Sequence, residues 1–273
     1  MDPFETAVEA IVRGDVITLR RLLRDDPSLV FARSSRPHRA TLLHYTAANG
    51  VEDERQMTPA NAVEIMEALL DADAEVDATA EMYGQECTTL SLLVSSTPPA
   101  VAGLQSDLAE VLIDHGAAID DGPGTKWQSA LQTSLAFGNL DTARTLVRRG
   151  ARVDTLPAAA GLGTSELVDD LLPEADADER HAALALACQH GHVDIARQLL
   201  DAGEDPNRFN PEGLHAHSTP LHQAALAGHL AVVELLVTRG ARKDVRDALY
   251  QGTALDWAEY AGQRAVAAFL SGP

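Results

Sequence analysis

The sequence predicts an all-α fold, a solenoid of about eight helix-turn-helix units with finger loops between them. Three observations predict it. A pattern of small residue, Leu, polar residue, two small residues and Gly recurs as TLLHYTAANG (41–50), SALQTSLAFG (129–138), ALALACQHG (183–191), TPLHQAALAG (219–228) and TALDWAEYAG (253–262). A second apolar-periodic segment follows, as in AVEIMEALLDADAEVD, DTARTLVRRGARVD, VDIARQLLDAGEDPN and AVVELLVTRGARKD. The chain of 273 residues is 45% hydrophobic, enough for a continuous core, yet no apolar run approaches the roughly 18 residues of a membrane span.

Each segment has a reason to be helical. Leu and Ala at spacings of three and four give an apolar stripe, and the small residues let neighbouring helices approach closely. One unit cannot bury its stripe alone, so stacking must supply the core. The pattern divides residues 1–273 into one domain with units at about 1–35, 36–84, 85–124, 125–154, 155–179, 180–217, 218–251 and 252–273. Asp2 and Pro3 suit the N-cap and first position of the first helix, and RRLLRDD gives its partner helix a polar outer side. Gly150, Gly203 and Gly240 follow second helices where a left-handed cap is wanted, and Asp73 stands in that place in its unit. The last unit ends in a shortened helix, AVAAFLSGP.

The stretch TPLHQAALAGHLAVVELLVTRGAR (219–242) resembles the ankyrin repeat, a unit of about 33 residues with the signature T-P-L-H-x-A, and weaker copies cover nearly the whole chain. TLLHYTAANGVE and NPEGLHAHSTPLHQA are similar to a subfamily of bacterial ankyrin-repeat proteins. The resemblance implies an ankyrin-repeat solenoid that recognises another macromolecule on its concave face. It also implies that His222 and His44 bond to backbone within the turn and toward the next unit.

Departures from the repeat carry the functional reading. Ten residues separate Asp77 from Thr88, eight separate Asp120 from Ser129, eleven separate Asn207 from Thr219, and eight separate Asp244 from Thr253, against about seven in an ordinary unit. Those four fingers are long. GARVDTLPAAAG (150–161) and PEADADERHAAL (173–184) leave almost no finger, which predicts a bare saddle near the middle units. Two insertions between paired helices, NGVEDERQMTPANA (49–62) and SSTPPAVAGLQS (95–106), are expected on the rim opposite the fingers. Of the eleven aromatic residues, Tyr83, Trp127, Phe209 and Tyr250 lie one in each long finger. Tyr45, Phe137, Trp257 and Tyr260 fall on first-helix positions that the resemblance turns toward the groove. Large amphipathic rings are favoured at interface hot spots, although finger rings also brace neighbouring fingers.

The formal charge of −20 opposes nucleic acid and anionic membrane. DDLLPEADADE (169–179) concentrates six carboxylates; such a run is commonly a solvated edge, and a ligand facing it would be cationic. Cys87 and Cys188 lie in no metal or redox spacing, which suits a reducing compartment. MDPFETAVEAIVRGD is acidic where a signal peptide is basic and then apolar, so a cytoplasmic protein is expected. GPGTKWQS (122–129) lacks the spacing of a phosphate loop, and GLGTS (161–165) is a lone G-x-G in a helix-to-helix turn. No nucleophile motif is present.

His215 and His217 stand two apart in the longest finger, on residues the repeat does not need. Two histidines at that spacing can share a metal, with Glu212, His190 or Asp247 as a third ligand, but catalytic zinc needs three protein ligands. The reading taken forward is a non-enzymatic scaffold for a protein partner with a basic segment, with no cofactor and no metal. Its surface is Tyr45, Tyr83, Trp127, Phe137, His190, Phe209, His215, His217, Tyr250, Trp257 and Tyr260. The alternative is a small-molecule or metal-dependent enzyme, or a ligand-binding protein, using the saddle with His190, His215 and His217.

Overall fold

A computed structural model describes residues 2–120 and 129–272. Trp127 and most of GPGTKWQS lie outside them. The chain forms two compact units, Met1–Arg152 and Val153–Pro273. In unit one, first helices α1 (Pro3–Arg13), α3 (Leu42–Thr46), α5 (Thr89–Leu93) and α8 (Ala130–Ala136) pair with second helices α2 (Val16–Asp25), α4 (Ala62–Leu70), α7 (Gln105–Asp114) and α9 (Leu140–Arg148). A short extra helix, α6 (Thr97–Val101), occupies the insertion before α7. In unit two, α10 (Leu156–Leu162), α12 (Ala177–His190), α14 (Pro220–Ala227) and α16 (Ala254–Tyr260) pair with α11 (Ser165–Leu171), α13 (Val193–Asp201), α15 (Leu230–Thr238) and α17 (Arg264–Leu270). First helices stack on first helices and second on second, as α10 on α12 on α14 on α16, and α13 on α15 on α17. Leu184, Leu199, Val233 and Leu236 lie wholly inside the core of unit two. Each such side chain contributes about 1.5–3 kcal/mol by leaving water.

The helix ends are set by the residues the sequence placed there. The Asp2 side chain accepts a hydrogen bond from the Phe4 amide, with Pro3 at the first helical position. Gly150, Gly203, Gly240 and Asp73 all adopt positive φ; at Asp73 the left-handed backbone costs about 1 kcal/mol that glycine would save.

Two polar devices tie helix pairs to their neighbours within a unit. At the start of a first helix, a histidine closes a capping box and reaches forward. His44 Nδ1 accepts from the Thr41 hydroxyl (2.8 Å) while Nε2 donates to the Cys87 carbonyl (3.2 Å). His222 does the same with Thr219 (2.8 Å) and the Gly252 carbonyl (3.2 Å). Both roles were implied by the resemblance. Burial disfavours the charged ring, so His222 titrates below the usual range and His44 is pushed down to about 4. At the start of a second helix, a polar side chain reaches backward: His192 Nε2 to the Gly161 carbonyl (3.0 Å), His229 Nε2 to that of Gln189 (3.1 Å) and Gln263 Nε2 to that of Leu226 (3.2 Å). These side chains lie over Gly163, Gly191 and Gly228, where a methyl group would sit 2.6, 2.6 and 2.4 Å from them. Gly163, Gly191 and Gly228 therefore serve both a left-handed turn and a close approach, whereas the space beside Gly262 is open.

Three features differ from the expectation. The finger between Asp77 and Thr88 is a β-hairpin, β1 (Thr79–Met82) with β2 (Gln85–Thr88), in antiparallel register Thr79 to Thr88 and Met82 to Gln85, so the fold is not purely helical. The missing finger before α12 is replaced by extra helix. Asp176 caps α12 six residues before the position that the Gly191–Gly228 register aligns with Thr219, and the added turns carry His181, whose Nε2 donates to the Phe209 carbonyl (3.1 Å). The insertion 49–62 does not stay on the far rim. Glu52 and Arg55 come back to Arg36 and His38 of the first finger and to Glu5 of α1.

Candidate interaction surface

Unit two presents two fingers built as one body. In the finger after α13, Asn210 N donates to the Ser218 carbonyl (2.8 Å), and Ser218 N to that of His215 (2.9 Å). Gln223 of α14 donates to Ser218 Oγ (2.9 Å). His215 is held at positive φ, +61°, a conformation a non-glycine residue keeps only where surroundings enforce it. In the finger after α15, the fully buried Asp247 carboxylate collects four donors: the amides of Leu249 (2.9 Å), Tyr250 (2.5 Å) and Gly252 (2.8 Å), and the Trp257 indole (3.0 Å). Burial pushes this carboxyl up, but the donors to its charged form outweigh burial and hold it down to about 2. The Ala248 amide then donates to the His217 carbonyl (2.8 Å), tying one finger to the other.

Rings fill the junction. His217 packs against His215, Tyr250 and Trp257 at centroid separations of 6.0, 6.0 and 5.7 Å, and Trp257 stacks edge-on to His222 at 5.2 Å. Outward from this packed layer stand Tyr250 at 73% exposure, Tyr260 at 90%, and the exposed side chains of Phe209 and Leu249. Tyr260 lies one helical turn beyond Trp257 on α16, and so on the same face. The structure thus brings together His215, His217, Tyr250 and Trp257, with Tyr260 alongside and Phe209 in the same finger as the two histidines.

The other sequence candidates lie elsewhere. Tyr45 was expected on the surface and is wholly buried, packed edge-on to Phe4 (6.2 Å) and His38 (6.1 Å). Its position is covered by α1 and by the preceding finger, so a ring there belongs to the core. Tyr83 is exposed at the hairpin turn, where its hydroxyl donates to Asn49 Oδ1 (2.6 Å). Phe137 is half-exposed at the end of α8. His190 ends α12 with its ring 6.3 Å from His192. Among the described residues no group of three or more His, Cys, Asp or Glu side chains could hold a metal ion. Asp247, the third ligand considered for His215 and His217, has its oxygens committed to four donors.

Most arginines of this unit are engaged within it, exposed Arg264 excepted. Arg180, Arg197, Arg208, Arg239 and Arg242 each pair with a carboxylate of the same unit, and Arg246 donates to the Gln251 carbonyl. Among the described residues Glu212 in the first finger and Glu259 beside Tyr260 have no such cationic partner, and both are exposed. The acidic run 169–179 is less open than it reads. Asp176 and Glu179 form the capping box of α12, Asp169 accepts from Gln198, and Asp178 pairs with Arg208. Sequence reasoning missed His181 and the hub role of Asp247; His181 stands outside the register that aligns Gly191 with Gly228, so no repeat position marked it.

Residues 156–247 match the family model for ankyrin repeats, in three copies. The chain is 37% identical over 126 residues to the human protein cyclin-dependent kinase 4 inhibitor B, covering 44% of this chain and 88% of that protein. It is 34% identical over 98 residues to the mouse protein named ankyrin repeat and SAM domain-containing protein 6, covering 36% of this chain and 11% of that relative. The chain therefore matches about a tenth of the length of that longer relative. The human ASB11 ankyrin repeat domain superposes with a TM-score of 0.47 at 20% identity, over 98% of each chain.

Proposed function

Because the chain belongs to the family of ankyrin-repeat proteins, we propose that it is a protein-interaction scaffold whose partner docks on the joined fingers and first-helix face of unit two. The carrying observation is the pair of fingers fixed by Asp247 and by the Ala248–His217 bond. It presents Phe209, Leu249, Tyr250 and Tyr260 as preorganised rings and apolar tips. Preorganisation removes ordering cost at binding, and exposed aromatics are the residue types that carry hot spots. The relative described as a kinase inhibitor is a protein that acts on another protein, which supports a protein partner here.

The partner's segment is basic in this reading, since Glu212 and Glu259 flank the rings while Arg208, Arg239, Arg242 and Arg246 are engaged internally. The setting proposed is the cytoplasm; neither Cys87 nor Cys188 forms a disulfide and both are buried, as suits a reducing compartment. The bacterial subfamily implied by the sequence resemblance is kept as part of the proposal; the relatives named above are animal proteins.

The test is crosslinking capture from cells that make the protein, comparing wild type with Phe209→Ala/Tyr250→Ala/Tyr260→Ala. A partner recovered by the wild type should drop at least tenfold with a variant of unchanged circular dichroism, on the order of the 2 kcal/mol a hot-spot ring contributes. Equal recovery by both removes this platform as the binding face.

A further inference from the structure

The first-helix face of unit one is not open, because the chain's own residues 49–57 lie across part of it. The strap is pinned at one end to the hairpin finger: Asn49 Oδ1 accepts from the Tyr83 hydroxyl (2.6 Å), and Gly50 sits on Met82, whose sulfur would be 2.3 Å from a Cβ there. At the other end, Glu52 and Arg55, three apart on one 3-10 turn, close a four-way ion cluster. Arg55 Nη2 meets Glu5 Oε2 (2.6 Å), Arg36 Nη1 meets Glu5 Oε1 (2.5 Å), Arg36 Nε pairs with Glu52, and His38 Nε2 lies 3.2 Å from Glu52 Oε1. Val51 is buried between the two anchors.

Two observations say that the strap is docked rather than built in. The backbone hydrogen bonds of its 3-10 turn, Arg55 to Glu52, Gln56 to Asp53 and Met57 to Arg55, close on the strap itself. The attachment of its 3-10 turn is therefore made by side chains. The strap's two charges also turn outward: Glu52 and Arg55 approach each other only to 3.9 Å, while Arg55 meets Glu5 at 2.6 Å and Glu52 pairs with Arg36.

We infer that this face of unit one is a peptide-binding surface for a segment carrying Glu and Arg three residues apart, and that residues 49–57 occupy it as a tethered internal ligand. A partner segment of the same chemistry must displace the strap, which makes the strap a built-in competitor. It is independent of the platform in unit two.

The probe is the synthetic peptide NGVEDERQM, offered to the wild-type chain and to a full chain in which 51–57 are replaced by Gly and Ser. A short tether supplies an effective concentration of about 1 mM, so a strap that stays docked must bind its site with a dissociation constant no weaker than about 1 mM. The strap-replaced chain should bind the peptide at least tenfold tighter than wild type does. Glu-to-Gln and Arg-to-Gln changes at the peptide positions of Glu52 and Arg55 should abolish that binding. A strap-replaced chain with native circular dichroism and no gain in peptide binding overturns the inference. Should that chain fail to fold, Glu52→Gln/Arg55→Gln serves instead, read by hydrogen exchange. Amides of 51–57 should exchange at least tenfold faster while α1 and α3 keep their protection; unchanged exchange in the strap, or equal loss across α1 and α3, overturns it.

Discussion

Unit one and unit two are built from the same helix pair, yet their first-helix faces are finished differently. In unit one the insertion 49–57 returns across the face, and the large side chain at the variable position of the pattern, Tyr45, is buried with its neighbours. In unit two no insertion intervenes. The equivalent positions are Gln223, which bonds the finger through Ser218, and Trp257, which bonds Asp247. The difference teaches that a repeat position fixes where a side chain points, while the loops decide what it packs against. It also separates two electrostatic designs: four mutually paired charges in unit one, and one carboxylate satisfied by neutral N–H donors in unit two.

The sharpest way to break this comparison is Asp247→Ala. It leaves three amides and an indole N–H without their acceptor, and should cost about 4 kcal/mol in chemical denaturation, with loss of the ring signals of Tyr250 and Trp257 while unit one is unaffected. The next largest effect is pH. The folded pKa of His44 lies near 4, below its unfolded value of about 6.5, and His181 and His222 are also shifted down by burial. A neutral histidine favoured by the fold contributes stability that is present above pH 6.5 and lost as pH falls toward its folded value. His44 alone accounts for about 3 kcal/mol across that window. His44→Gln should flatten the melting temperature between pH 6.5 and 4.5, and an unchanged slope would assign the acid sensitivity to other groups. Smaller again is Gly191→Ala, which puts a methyl on His229 at positive φ and should cost about 2 kcal/mol. Gly203→Ala is the control, since the space beside it is open; its cost should be only the backbone term, about 1 kcal/mol. Least of all, Tyr250→Ala should move stability by less than about 0.5 kcal/mol, because the ring is exposed and the Asp247 bond is to its backbone amide.

The repeat made the helices legible. Leu and Ala periodicity, Gly at the turns and the T-x-L-H caps each correspond to a burial or a hydrogen bond that the structure contains. The fingers were legible as lengths, but not as structures: nothing in TAEMYGQECT announces a hairpin except Tyr83-Gly84, whose turn takes positive φ at both residues. The platform was legible in part. Tyr250, Trp257, His215 and His217 were singled out by residue type and place, whereas Asp247 reads as one more aspartate until the fold folds four donors onto it. The strap escaped because ion pairing between residues 5, 36, 52 and 55 has no period, and only tertiary folding brings those charges together.

The open, preorganised surface proposed for unit two is what a partner must cover. The most direct measurement is hydrogen exchange of the full chain with and without the partner that crosslinking recovers. Protection is expected on the fingers, residues 208–218 and 245–252, and on the exposed side of α16, with the second helices α13, α15 and α17 unchanged. Protection confined to those second helices, or none anywhere in unit two while the partner is bound, would contradict it.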